Sequence, residues 1–253
     1  MSEQSGSNWD WWSGRKAYNS SHLEIYYAIR QRNLQWLTDL SLSYLSTKRP
    51  CSILKTDLWN EAKKDEPFFA EADGVKVGID VSGSICKMAR SKHGGTILIT
   101  QGSIEALPFA SDSFDIVWDI STIDHSERPE KVIDEYSRIL KPNGVLLLVA
   151  ENPLCLSYPV TKIQSLVKKH VPFIAYLHSR ILRACLKAEL EVIDHFKTNV
   201  HLPTFIVYPL EKRGMLERIN RGRSTLWNFC KKYSVVIARK KSPMNSMGEN
   251  ESG

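Results

Sequence analysis

The sequence predicts an α/β fold: a doubly wound, mostly parallel sheet preceded by a helical extension. Three observations carry that expectation. From Cys51 onward, short apolar runs alternate with amphipathic stretches, the succession that builds a parallel sheet with helices on both faces. Val145–Ala150 is a continuous apolar run, the pattern of a strand buried on both sides. Before Pro50, the apolar positions Leu23, Tyr26, Ile29, Leu34, Leu37 and Leu40 fall at helical spacing, with little strand character.

The elements follow in order. Ser52–Thr56 reads as the first strand and Val75–Asp80 as the second, with a short helix in Asn60–Ala72 between them. Ile85–Ser91 is helical, Thr96–Thr100 is the third strand and Phe114–Asp119 the fourth. Glu130–Leu140 places Val132, Ile133, Tyr136 and Ile139 on one helical face. Pro142, Asn143 and Gly144 make a turn into the fifth strand. Arg180–Leu190 is helical. Glu191–Lys197 and Ser234–Arg239 supply two further strands, which brings the sheet to seven. The polar, basic stretch between those two reads as an insertion or a helix. The expected organisation is a disordered terminus over 1–8, a helical lid over 9–49, a main domain over 50–240 with an insert at about 198–232, and a disordered tail over 241–253.

The 253 residues carry a net charge of +6, with 42% hydrophobic and 25% charged residues, which is ordinary for a soluble globular chain. The five cysteines form no CxxC pair, so they read as buried thiols in a reducing compartment, with no zinc site or disulfide frame. The N-terminus is polar without an apolar signal core, and no apolar run reaches the length of a membrane span. The expected location is cytoplasmic.

Three segments resemble one family. GSIEALPFASDSFDIVW (102–118) resembles the GDAEALPFPDGSFDVV signature of class I S-adenosylmethionine-dependent methyltransferases, in the methyltransferase-11-like branch. VGIDVSGSICKMAR (77–90) is similar to that branch's second-strand signature, and YSRILKPNGVLLLVAEN (136–152) to its RVLKPGGRLVL signature. The likeness covers residues 50–152 and weakens beyond them. It implies a Rossmann-like fold, S-adenosyl-L-methionine as cofactor, and methyl transfer.

The resemblance also assigns roles. Asp80 ends the second strand, where an acid accepts from both ribose hydroxyls; a carboxylate offers the two acceptor oxygens that a diol needs. Val81 follows it. Ser103 stands where the family has an aspartate for the adenine amino group, Ile104 is a wall for the adenine ring, and Glu105 is a further contact. Asp119 closes the fourth strand on the side of the methyl donor. After it, His125 has the intrinsic pKa of a general base, with Asp124 or Asp119 to orient it. Glu151–Pro153 and His201 would line the acceptor side.

The first loop departs from the family. No glycine occurs between Gly14 and Gly74, where glycines normally let the backbone approach the cofactor. Two accounts stay open. In one, Asp57 accepts from the cofactor's ammonium group, while Asn60 and backbone N–H groups hold its carboxylate. In the other, Trp59 fills the pocket and the protein is a non-catalytic binding or scaffold module. The acceptor expected for an enzyme is a small molecule or a glycan- or lipid-linked compound. Basic residues such as Lys168, Lys169, Lys212, Arg213 and Arg218 could meet RNA, but no recognisable RNA module accompanies them.

Overall fold

A computed structural model describes residues 21–45, 51–63, 69, 72–160, 162–163 and 173–242. Residues 1–8, the expected tail from 243 on, the aromatics Trp9, Trp11, Trp12 and Tyr18, and Lys168 and Lys169 lie outside the described residues.

Helix α1 (Ser21–Ser43) leads into β1 (Ser52–Lys55), a short α2 (Trp59–Lys63), β2 (Val75–Asp80), α3 (Gly83–His93), β3 (Leu98–Gln101) and β4 (Phe114–Ile120). Then come α4 (Pro129–Ile139), β5 (Leu140–Glu151), α5 (His178–Lys187), β6 (Leu190–Val200), α6 (Thr204–Lys212), α7 (Met215–Arg221) and β7 (Lys231–Lys240). The seven strands form one sheet in the order β3-β2-β1-β4-β5-β7-β6. β1 to β5 are parallel, whereas β7 runs antiparallel to both neighbours, β5 and β6. The sheet is therefore mixed. Its parallel part agrees with the expectation, and its antiparallel end follows from the chain returning through α6 and α7 to insert β7 between two strands already placed.

Alternation along the strands divides the core. Leu54, Val117, Leu146 and Leu148 face α4 and α5, which contribute Val132, Ile133, Tyr136, Ile181 and Cys185. Ile53, Ile116, Trp118 and Leu147 face the other way and meet Leu34 and Leu37 of α1. Thus α1 forms part of a core layer. The Trp118 indole N–H donates to the Ser41 hydroxyl at 2.9 Å, and Asn33 donates to Asn199 at 3.1 Å, so buried polar pairs also hold the helix.

The expected turn at 142–144 lies within β5. The pairing jumps from Phe114↔Leu140 to Ile116↔Val145, and Asn143 takes φ 65° to make room for the extra residues. All five cysteines are buried and form no disulfide.

Candidate functional site

In an open α/β sheet a ligand crevice forms at the carboxyl ends of the strands, where the strand order reverses. That reversal falls between β1 and β4. The residues following β1, β2, β4 and β5 meet there.

The glycine-free loop after β1 has a defined internal architecture. Lys55 is wholly buried, and its ammonium donates to the Asp57 carbonyl at 2.5 Å, the Asp57 carboxylate at 3.1 Å and the Glu61 carboxylate at 2.9 Å. Burial alone would lower its pKa. The Asp57 and Glu61 charges outweigh that and hold Lys55 above the ordinary lysine value, so it remains a cation. The second oxygen of Asp57 accepts from the Trp59 N–H at 3.1 Å and starts α2. Glu61 Oε1 is buried without a hydrogen-bond partner. Asn60 is buried on the first turn of α2.

Between Asp57 and Trp59, Leu58 turns its side chain inward against Ile85, Cys86 and Ala89 of α3. It crosses directly over Gly78 in β2, where an added Cβ would lie 2.3 Å from Leu58 Cδ2. The close approach that loop glycines usually permit is supplied by a glycine on the adjacent strand. Sequence reasoning missed Gly78; its signal was a glycine inside an otherwise apolar strand. Trp59 packs, half-buried, against the same α2–α3 cluster, with Lys63 Nζ 5.9 Å from its ring centre.

Asp80 ties the loop to β2. Its Oδ2 accepts from the Leu58 N–H at 3.0 Å and its Oδ1 from the Ser82 N–H at 2.9 Å. Burial pushes its pKa up to about 6, against the pull of those two N–H groups. Each oxygen retains an acceptor position, and two further donors would favour the charged form. A vicinal diol supplies two such donors, so this corner fits the ribose of S-adenosylmethionine. Val81 is half-buried, and its carbonyl accepts from Gln101 at 3.1 Å. Across the crevice, Ser103 is exposed in a turn where its hydroxyl accepts from the Glu105 N–H at 3.2 Å, while Ile104 packs half-buried against the core. Glu105 has other partners: Ser126 at 2.7 Å and Arg128 at 2.6 Å, which clamp the loop after β3 to the loop after β4.

Asp119, near the end of β4, and Asp124, in the loop after it, are both buried. Asp119 is wholly buried. It accepts from the Thr122 N–H at 2.7 Å, the Ile123 N–H at 3.1 Å and the Tyr136 hydroxyl at 2.7 Å. Burial raises its pKa to about 6. With its oxygens occupied internally, Asp119 shapes the turn and does not face the crevice. The crevice side of that turn is Ser121, at φ 66° with a buried hydroxyl lacking a partner, and Thr122, which accepts from Thr56 at 3.0 Å. A non-glycine residue at such a φ is strained, and strain of this kind concentrates at functional sites.

Asp124 is also wholly buried. Its Oδ2 accepts from the Glu151 N–H at 2.9 Å and its Oδ1 has no partner. Burial, then the Glu151 charge, raise its pKa well above the ordinary aspartate value, so its surroundings favour the neutral acid. His125 is half-buried beside Phe173, ring centres 6.0 Å apart.

A polar group not foreseen as a unit lies after β5. Glu151 pairs with Lys232 at 3.2 Å, at the start of β7. His201 is pushed down to about 4 by burial and then by the Lys232 charge, so its imidazole is neutral. The Tyr26 ring of α1 lies tilted against His201, centres 5.2 Å apart, and its hydroxyl donates to the Leu202 carbonyl. These partners come from four distant segments, and no local pattern could announce them.

Comparison with known proteins gives a family match. A model described as "Methyltransferase domain" (Methyltransf_11) matches residues 67–148. An uncharacterized protein of Methanocaldococcus jannaschii, MJ1123, is 34% identical over 80 residues, covering 32% of this chain and 38% of that protein. The uncharacterized methyltransferase YcgJ of Bacillus subtilis is 32% identical over 83 residues, covering 33% of each chain. The YcgJ crystal structure superposes with a TM-score of 0.57 at 19% identity, over 82% of this chain and 99% of that one. The [4+2]-cyclase SpnF superposes with a TM-score of 0.56 at 17% identity, over 83% and 82%. Likeness at that identity establishes the fold alone. The match to MJ1123 spans 38%, and that to YcgJ 33%, of those proteins' lengths.

Proposed function

We propose, for a chain that belongs to the class I S-adenosylmethionine-dependent methyltransferases of the methyltransferase-11-like branch, that it transfers a methyl group to a small-molecule or glycan- or lipid-linked acceptor. The observation that carries this reading is Asp80. A half-buried carboxylate at the end of β2, held by two backbone N–H groups and short of donors, suits a ribose diol.

When bound, S-adenosylmethionine supplies a methyl group on a sulfonium, which an in-line nucleophile displaces. The chain's task is to hold the acceptor in line, and positioning of this kind gives effective molarities of about 10⁵–10⁸ M. Asp80 and the Ser103 turn would orient the nucleoside. Asp57 offers its carboxylate to the ammonium end. Ser121 and Thr122 form the floor, and Glu151, Lys232 and His201 hold the acceptor beneath α1. For a hydroxyl acceptor, His125, half-buried in the loop after β4, takes the proton.

The test is transfer of label from S-adenosyl-[methyl-³H]methionine into fractionated small-molecule and lipid extracts. Label in a fraction, dependent on Asp80, supports the reading. One observation favours a second reading, a non-catalytic module: the Lys55–Asp57–Glu61 knot satisfies the first loop without a ligand. Failure to bind either S-adenosylmethionine or S-adenosylhomocysteine would select it.

A further inference from the structure

We propose that the α6–α7 insert and the 3-10 turn at Thr225–Trp227 form a surface that docks the protein on anionic lipid bilayers. Three observations converge on it. The first is charge. Residues 198–232 hold seven Lys or Arg against two Glu; Lys231 is buried, and Lys232, Arg221 and Arg223 pair with Glu151, Glu217 and Asp194, which leaves three cations for the surface. Lys212, Arg213 and Arg218 are exposed and form no ion pair with a carboxylate among the described residues.

The second is apolar exposure on the same segment. Phe205 is 75% exposed and Leu226 71%, with Tyr208 and Met215 also open. Phe205, Tyr208 and Lys212 stand at i, i+3 and i+7 on α6, one outward stripe, and Lys212 Nζ lies 5.3 Å from the Tyr208 ring centre. The opposite side of the helix is satisfied, because Val207 and Leu210 pack on Leu216 and Cys230. The outward side chains therefore do not serve the fold.

The third is continuity. The Leu156 N–H donates to the Phe229 carbonyl at 2.8 Å, and Asn152 donates to Asn228 at 3.1 Å. These bonds place Leu154 and Leu156, 64% and 63% exposed, beside the Leu226–Phe229 stretch. Exposed apolar and aromatic side chains on a segment that also carries exposed cations match the interface of an anionic membrane, where apolar groups enter the acyl boundary and cations meet phosphate. Nucleic acid fits less well: Phe205 and Tyr208 could stack on bases, but the exposed Leu154, Leu156, Met215 and Leu226 of the same surface could not. No helix among the described residues is long and apolar enough to cross a membrane, so the contact proposed is peripheral.

The inference stands apart from methyl transfer, because vesicle binding is read without cofactor. The test is co-sedimentation of the full chain with vesicles of phosphatidylcholine alone, or with about one third phosphatidylglycerol. The expected result is binding to the anionic vesicles that falls with added salt. Lys212→Ala/Arg213→Ala weakens it about 25-fold, at roughly fivefold per charge. Phe205→Asp/Leu226→Asp abolishes it while the thermal midpoint stays unchanged, since both residues are exposed. Absence of binding, equal binding to neutral vesicles, or binding indifferent to both double variants overturns the proposal. So does tighter, variant-sensitive retention of mixed RNA, which would assign the surface to nucleic acid.

Discussion

The Leu58 backbone N–H donates to the Asp80 carboxylate at 3.0 Å, so the first loop and the end of β2 are joined at one oxygen. The same Leu58 sends its side chain over Gly78, two residues before Asp80. Loop position, strand glycine and carboxylate orientation are thus one mechanical unit, and a loop without glycines can still present a ligand-ready acid.

That unit predicts the effect of Gly78→Ala. The new Cβ would meet Leu58 Cδ2 at 2.3 Å in a fully packed place. We expect about 1–3 kcal/mol of destabilisation in urea unfolding. Weaker S-adenosylhomocysteine binding should accompany it, because Leu58 shifts off Asp80. Adding Leu58→Ala should cost less than the single variants predict together; strict additivity would contradict the coupling.

Cofactor binding should depend on pH through Asp80. Its folded pKa is about 6, raised by burial, and a diol favours the carboxylate. Affinity should therefore weaken as pH falls through about 6. Titrations across that range check it, and Asp80→Asn should flatten the profile.

Asp124 makes a stability prediction of definite sign. A carboxyl whose pKa is raised in the fold stabilises below its unfolded pKa and loses that contribution as pH rises toward the folded value. Burial and Glu151 raise Asp124 well above its ordinary range. Wild-type stability should thus carry a loss that begins above about pH 4. Asp124→Asn keeps an acceptor for the Glu151 N–H and should remove that loss. An unchanged pH profile of the thermal midpoint would contradict the placement.

Lys55→Met strands two carboxylates, of which Glu61 is wholly enclosed. Removing one partner of a buried pair costs about 3–5 kcal/mol. Lys55→Met/Glu61→Leu should recover most of it, as read by denaturant midpoint.

Much of the fold was legible because it rests on period. The alternation of Ile116, Val117 and Trp118 between two core faces, and the Val132–Tyr136 face of α4, follow from spacing alone. While its role toward a ribose is what the family resemblance implies, the place of Asp80 at the end of β2 was legible for the same reason. The acids at and after the end of β4 were not. Asp119 and Asp124 look alike in WDISTID, yet each is turned inward by partners, Tyr136 and Glu151, that the sequence places at a distance. The antiparallel β7, the Gly78–Leu58 crossing and the Glu151–Lys232 pair likewise depend on which segments meet.

The central claim is that a cofactor site persists without loop glycines. Calorimetric titration of the protein with S-adenosylmethionine and S-adenosylhomocysteine, beside Asp80→Ala, tests it most directly. Wild type should bind both, and the variant should lose about tenfold to several hundredfold in affinity. A folded wild-type protein that binds neither ligand, or an Asp80→Ala variant that binds both unchanged, would contradict it.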